Sequence, residues 1–362
     1  MLAPFQGANA GLCSFGIDSV SRQTDGPHHG SSVFAFRTQR SHAVADISGM
    51  TRSRWRAPAL VACAVLGHAT VVDPLAARCD PSAVPPPRDD RLRIVDWNLH
   101  NFPGDHDLPR LHARLDALAP HVLALQEILD PSALAELRPG FRWHASTLGG
   151  RNHQHLAIGW DPALVTVDAF VEHEALTMDG KVRPALSAHV RSRVGGPDLH
   201  LVVVHLKATR DGHDIRREQW PRLVDAIAAH RAAAPADDDL LVVGDFNVAG
   251  GPALSTADEL DALSLALVPA GLALWDTVGG CTAYWDGRRR DAWLEPSRLD
   301  LVWAAGLAEV AAGDRRTWPG THCERHRCQP FAASEHHPDP DAHGLSDHCP
   351  VVIDLPLLDD DP

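Results

Sequence analysis

Leu240-Leu241-Val242-Val243-Gly244-Asp245-Phe246-Asn247 is the stretch on which the reading of this chain turns. Its first four residues are apolar, two of them β-branched, with no polar break, which is the pattern of a strand buried on both faces. Gly244 then removes a side chain where backbone and ligand would approach closely. Asp245 and Asn247, two apart on extended chain, point to the same side. A carboxylate and an amide thereby face one site. Taken alone, the residues also suit a strand running into an ordinary Asp-Phe-Asn turn, because Asp and Asn are common turn formers. The other strand ends of the chain move the reading toward a site.

Working outward, Leu92 to Trp97 is a strand-like run that ends at Asn98, with His100 and Asn101 beyond. Leu108, Leu111, Leu115 and Leu118 recur at helical spacing from Asp107, and Pro120 stops the helix. Val122-Leu123-Ala124-Leu125 is a second buried strand, closing with Gln126-Glu127. Strand, helix and strand suggest layered α/β architecture. Weaker strands at 141–145, 155–160, 164–167 and 185–190 have the spacing of antiparallel pairs, so the sheet is mixed. Leu199 to Val204 is a strong strand ending in His205-Leu206-Lys207. Ile215 to Ala233 is the longest helix, and Thr256 to Leu267 is another. Arg298-Leu299-Asp300-Leu301-Val302-Trp303 embeds a carboxylate in a strand, so Asp300 is expected to accept a hydrogen bond from a histidine or a similar donor. The last strand, Pro350 to Leu355, follows Ser346-Asp347-His348. Residues 311–343 read as a long inserted loop.

The chain has 362 residues, 44% of them hydrophobic, ample for a core, and a formal net charge of −14. That charge argues against a nucleic-acid coat protein, which needs a basic surface to displace counterions. An acidic enzyme can still cut phosphodiesters if metal ions mask its carboxylates. Residues 1–49 show no periodicity and read as unstructured, an over-extension ahead of a start at Met50. Arg52, Arg54 and Arg56 before the apolar 57–72 resemble a secretory signal within 50–78, too short and interrupted for a membrane span. Leu60-Val61-Ala62-Cys63 resembles a lipoprotein box but lies too close to the arginines, so a lipid anchor is the minor alternative to simple export to the periplasm or medium. A Pro-rich linker, 79–90, leads into a folded domain over 91–357, followed by an acidic tail at 358–362. Export favours disulfides. Cys323 and Cys328 are close enough to bridge, with zinc held by His322, Cys323, His326 and Cys328 as the rival reading.

The strand ends together offer Asn98, Glu127, His205, Asp245, Asn247, Asp300, Asp347 and His348. Carboxylates and amides without cysteine suit a hard cation, Mg²⁺, Mn²⁺ or Ca²⁺. Two histidines beside acids add acid–base capacity near neutral pH. In their order, Trp97-Asn98, Gln126-Glu127, His205-Leu206-Lys207, Gly244-Asp245-Phe246-Asn247, Arg298-Leu299-Asp300 and Ser346-Asp347-His348 resemble the endonuclease/exonuclease/phosphatase superfamily, the DNase I-like fold, over about residues 91–355.

The resemblance implies a four-layer α/β/β/α sandwich of two mixed sheets flanked by helices, and metal-dependent hydrolysis of phosphate esters. By position it makes Glu127 the principal metal ligand, with Asn98 and Asp347 at the metal or its waters. Asp245 would align or deprotonate the attacking water, and Asn247 would hold that water or a phosphate oxygen. His348, oriented by Asp300, would bind the phosphate; His205 would be the second catalytic histidine; and Arg183, otherwise a solvated loop arginine, would touch the phosphate.

The motifs do not choose the substrate. Inositol 5-phosphatases are disfavoured, because their Cys-Asp-Arg string is absent at Arg298-Leu299-Asp300. The export-like segment argues against the cytosolic repair endonucleases. An exported DNase I-like endonuclease on DNA or RNA is the first reading, a sphingomyelin or phospholipid phosphodiesterase the second, and an inactive binding module the third. A monomer without a membrane span is expected. A nuclease needs basic flanks, for which Lys207, Arg210, Arg216, Arg217 and Arg288-Arg289-Arg290 are candidates; a lipid enzyme needs exposed apolar groups such as Trp285 and Trp293.

Overall fold

The computed structural model describes residues 83–232, 238–286, 291–334 and 336–358. Residues 1–49, the signal-like segment, linker residues 79–82, Arg288-Arg289-Arg290 and nearly all of the acidic tail lie outside the described residues. In chain order the elements are β1 (Arg91–Phe102), α1 (Leu108–Leu118), β2 (Val122–Ile128), α2 (Leu134–Leu137), β3 (Arg142–Ala145), β4 (His155–Trp160), β5 (Val165–His173), β6 (Ala185–Ser192) and β7 (Asp198–His205). They continue with α3 (His213–Arg231), β8 (Leu240–Asp245), α4 (Thr256–Leu267), β9 (Ala273–Leu274), β10 (Asp276–Thr277), β11 (Ala283–Trp285), β12 (Trp293–Ser297) and β13 (Asp300–Ala305). The last are β14 (Arg316–Pro319), α5 (Thr321–His326), β15 (Phe331–Ala332) and β16 (Val351–Pro356).

Two mixed sheets result. One runs β10-β14-β16-β1-β2-β4-β3 and the other β5-β6-β7-β8-β13-β9, with a small third sheet β11-β12-β15. Each large sheet has a parallel pair at its centre, β1 with β2 and β7 with β8, joined through a helix as parallel neighbours require. Leu92, Ile94, Val122 and Ala124 of the first sheet pack with Leu199, Leu201, Val203, Leu241 and Val243 of the second in one core. The alternate residues of the same strands face helices: Val95, Trp97 and Leu123 meet Leu111 and Leu115 of α1, and Val202, Leu240 and Val242 meet Leu223 and Leu263 of α3 and α4. This is the expected α/β/β/α sandwich. It also explains why β2 and β8 read as unbroken apolar runs, since both faces are covered.

Local chemistry sets the boundaries. Asp107 caps α1 by accepting the Arg110 amide at 3.1 Å, and Ala119 closes it in the left-handed region. Gly244 has φ +129, and a Cβ there would stand 2.1 Å from the Val204 carbonyl oxygen. The glycine therefore serves the approach of β8 to β7, a correction to the ligand-approach expectation. The 311–343 region is not the single loop expected: β14 pairs with β16, and α5 and β15 follow. Elements of two to six residues carry too little periodicity to be read from sequence. Among the described residues no helix is long and apolar enough to cross a membrane.

The cysteines pair otherwise than expected. Cys281 bonds Cys328, with Cα atoms 5.6 Å apart, and Cys323 bonds Cys349, at 6.1 Å. Cys323 lies on α5 and turns toward the last strand, whereas Cys328 follows the left-handed Arg327 that ends the helix and turns toward Cys281. A Cys323–Cys328 bridge and the zinc alternative are both excluded, because each sulfur is already spent; His326 meanwhile stacks on Phe331 and bonds Asp339 at 2.9 Å. Closing loops of 47 and 26 residues, the two bonds contribute about 4 kcal/mol each in the chain-entropy picture.

Candidate active site

The site forms where the inner faces of the two sheets open at one end. The parallel pairs β1–β2 and β7–β8 finish there, and the antiparallel β13 starts there. His205, Asp245 and Asp300 stand side by side in register across β7, β8 and β13. All three share the parity of the inward-facing core residues of their own strands: Val203 precedes His205 by two, Val243 precedes Asp245 by two, and Val302 follows Asp300 by two. Asn98 faces them from β1.

Glu127 is different. Val122 and Ala124 face inward, so alternation would send residue 127 toward the helices. Its φ of 60, at an irregularity in the pairing of β2 with β4, turns it to the site instead. Bulges of this kind redirect a side chain. Asn247, at φ 52, is also left-handed, a conformation asparagine tolerates.

Distances bind the group into one pocket. Asn98 Nδ2 donates to Asp245 Oδ2 at 3.1 Å and to Glu127 Oε1 at 3.4 Å, linking the sheets. His205 Nε2 lies 3.3 Å from Asp245 and 3.8 Å from Glu127. His348 Nδ1 donates to Asp300 Oδ2 at 2.8 Å, and its Nε2 is 3.9 Å from Asp245 Oδ2. Asp300 thus receives the histidine partner expected of it. The Asn247 amide N–H donates to Asp245 Oδ1 at 2.8 Å, and Asn247 Nδ2 to the Leu206 carbonyl at 3.2 Å. Asp347 accepts from His100 Nδ1 at 2.8 Å. Arg183 is buried behind this group and donates to the Leu206 carbonyl at 3.2 Å.

The electrostatics follow from burial. Burial pushes the Asp245 carboxyl up; His348 opposes this, the Asp300 and Glu127 carboxylates reinforce it, and the result is about 7. Burial would lower His348, yet Asp300, Asp245 and Asp347 outweigh it and hold the imidazole well above its ordinary range. Burial, reinforced by Arg183 and His348, drives His205 well below, and among the described residues neither of its ring nitrogens has a hydrogen-bond partner. Asp347 is held at about 2, where the His100 bond and the charge of His348 overcome burial. Arg183 is lowered by burial to about 10 and stays cationic.

Crowded carboxylates that push a buried Asp245 up are what a divalent cation would relieve, and the donor set of carboxylates and an amide suits a hard one. Asp245, Asp300 and His348 offer ligand atoms within 4.8 Å of one another that could hold a metal ion, although Asp300 and His348 are already paired with each other at 2.8 Å. Glu127 and Asn98 add further hard donors beside Asp245.

Several supporting residues escaped the sequence reading. Trp97 Nε1 donates to the His348 carbonyl at 3.0 Å. Ser346 Oγ donates to the Asn98 carbonyl at 2.7 Å and accepts the His348 amide at 3.0 Å. Thr282 Oγ1 accepts the amides of Leu299 and Asp300, at 3.0 and 2.9 Å. Asp96, fully buried and two residues before Asn98, accepts from Gln126 Nε2 at 2.7 Å; burial, with Asp300 next in effect, pushes it well above the usual carboxylate range. A charged residue inside an apolar strand, on the parity of Asn98, was the signal for it. Of the basic candidates, Arg216 is fully buried in an ion pair with Glu259 and is no part of a surface.

Residues 97–348 match the Endonuclease/Exonuclease/phosphatase family. A solved endonuclease/exonuclease/phosphatase family protein from Bacteroides thetaiotaomicron is similar at 16% identity and TM-score 0.50, over 73% of this chain and 97% of that one. A humanized D. rerio TDP2 is similar at 19% identity and TM-score 0.47, over 73% and 98% of the two chains. The human Nocturnin catalytic domain is similar at 17% and 0.46, over 74% and 95%. No curated protein matches the chain. With 97–348 matched, this chain belongs to the endonuclease/exonuclease/phosphatase family and is a hydrolase of phosphate esters.

Proposed function

We propose that the protein is a divalent-metal-dependent phosphodiesterase that hydrolyses by in-line attack of an activated water, with a nucleic acid as its first substrate class. The observation that carries the reading is the bridge by Asn98 Nδ2 to Asp245 and Glu127, 3.1 and 3.4 Å, because it joins the two sheets at one pocket. Glu127, Asn98 and Asp347 would hold Mg²⁺, Mn²⁺ or Ca²⁺. When bound, the ion supplies Lewis-acid stabilisation of charge on the phosphoryl oxygens.

The chain's own groups do the rest. Asp245, at about 7, orients the attacking water and takes its proton, while Asn247 fixes that water or a phosphate oxygen. His348 is an imidazolium whose Nδ1–H is spent on Asp300, so its Nε2–H donates to a non-bridging oxygen as negative charge grows there. His205 stays neutral, and Arg183 adds positive charge from behind. The two disulfides support an exported enzyme.

A second reading, a sphingomyelin or phospholipid phosphodiesterase, is favoured by Trp285 and Trp293, 52% and 51% exposed. They lie on strands of the small sheet, where Ala283 bridges His348. Purified protein incubated with plasmid DNA and with sphingomyelin vesicles, in Mg²⁺ and then EDTA, separates the readings. Nicked DNA that EDTA abolishes, and a Glu127→Gln variant slower by about 10²-fold or more, are expected. Near wild-type turnover in Glu127→Gln, or cleavage indifferent to EDTA, would overturn the metal role. Cleavage of sphingomyelin alone selects the second reading, and cleavage of no phosphate ester leaves a binding module on this scaffold.

A further inference from the structure

Two loops leave the six-stranded sheet at the pocket: residues 206–212 follow His205, and residues 246–255 follow Asp245 and include Asn247. We propose that the buried pair Arg216–Glu259 positions these loops relative to one another, and through them His205, Asp245 and Asn247. The inference rests on the phosphodiesterase reading above.

Arg216 stands in the first turn of α3 and Glu259 in the first turn of α4, both fully buried. Arg216 Nε donates to Glu259 Oε1 at 2.7 Å and Nη2 to Oε2 at 3.0 Å. Nη1 donates to the carbonyls of Lys207 at 2.8 Å and Thr209 at 2.6 Å, on the first loop. Nη2 also donates to the Gly250 carbonyl at 2.9 Å, on the second. Five guanidinium N–H groups therefore meet five acceptors. Glu259 Oε2 in turn accepts the Gly250 amide at 2.7 Å, and Oε1 faces His213 Nδ1 at 3.0 Å. One planar group holds backbone from both loops at once.

At their site end the loops are joined again. Leu206, next to His205, accepts Asn247 Nδ2 at 3.2 Å through its carbonyl. Thr209, a β-branched residue at φ 73, is a strained point of the first loop that needs to be held, whereas Gly250 takes its φ of +76 without strain. Stability alone does not account for the pair. A buried ion pair gains little over apolar side chains of similar volume, because both charges give up their water. Trp220, Leu223, Ile227, Leu263 and Leu267 already pack α3 and α4 on the sheet. Apolar side chains cannot grip three carbonyls at fixed points. Arg216 and Glu259 are positioning residues; neither touches the reacting atoms.

The test compares wild type, Arg216→Lys and the apolar double variant Arg216→Met/Glu259→Leu, each followed by thermal unfolding and by steady-state hydrolysis of bis(4-nitrophenyl) phosphate with Mg²⁺. The double variant leaves the carbonyls of Lys207, Thr209 and Gly250 and the Gly250 amide without these partners, so it is expected to unfold cooperatively at a lower midpoint than wild type, and below that midpoint to show kcat lower by about tenfold or more with KM within about twofold. Arg216→Lys, which keeps the charge and loses the fork, is expected to fall in between. A folded double variant with wild-type kcat overturns the proposal. If the double variant does not fold, Arg216→Lys decides: an unchanged kcat overturns it, and a kcat lowered about threefold or more at constant KM supports it. An inactive wild type overturns the phosphodiesterase reading and this inference together, whereas an active wild type with an equally active variant removes this inference alone.

Discussion

His348 and His205 stand on opposite walls of one pocket, both buried and both within 4 Å of Asp245, yet they carry opposite charge states: 3.9 Å away the imidazole is cationic, and 3.3 Å away it is neutral. On the His348 wall, Asp300 accepts Nδ1 at 2.8 Å, and the surrounding carboxylates outweigh the loss of water. On the His205 wall no group among the described residues accepts from the ring, so burial dominates, Arg183 adds to it and the imidazole loses its proton. Burial alone therefore does not assign a histidine its charge; the partner of its second nitrogen does. One wall is equipped to donate to an anion, and the other offers neutral nitrogens beside Glu127.

The largest expected effect separates the walls in turnover. His348→Ala should lower kcat by about 10²-fold or more and His205→Ala by about tenfold, measured at saturating substrate, since only the first removes a charged donor. Equal losses would erase the distinction.

A smaller effect belongs to the pH profile. Asp300→Asn removes the carboxylate that most strongly raises His348, so the imidazolium loses its proton at lower pH than in wild type. The alkaline limb of the kcat profile should move to lower pH. His205→Ala should leave that limb in place. An Asp300→Asn profile superimposable on wild type would show that His348 does not act as the charged donor.

The smallest effect is on stability. His230 and His322 are neutral buried histidines of the His205 kind, each lowered to about 4, burial being the first cause in both. Their folded values lie below the unfolded value near 6.5, so their contribution is complete above that pH and is lost as pH falls toward the folded value. His348, raised in the fold, has the opposite sign: its contribution is complete below about 6.5 and lost as pH rises through its folded value. Urea unfolding at about pH 7, 5.5 and 4.5 should show falling stability, and His230→Phe should reduce the drop by roughly 1–3 kcal/mol. A drop of the same size in the variant would remove His230 from that account.

Much of the fold could be read from the chain because the strongest elements are locally encoded. The runs ending at Leu125, Val204 and Val243 are apolar on both faces, and α1 and α4 carry helical spacing with a capping residue or a proline stop. The polar residues His205 and Asp245 at the ends of such runs were equally legible. Glu127 is the exception that shows the limit: its route to the pocket depends on a left-handed residue at a pairing irregularity, which alternation does not contain. Arg216 shows the same limit from the other side. Asp214, Arg217 and Glu218 beside it are exposed, and only the arrival of Glu259 from α4 makes Arg216 a buried, fully bonded group.

Family, layered α/β class, the polar groups at the strand ends and their order were all legible in the chain, because these depend on short-range periodicity and on residue identity. The disulfide partners, the charge of each histidine and the burial of Arg216 emerged only on folding. Each of those depends on atoms brought together across long stretches of chain, and the energies of burial, hydrogen bonding and opposite charge act through distance in space rather than along the sequence.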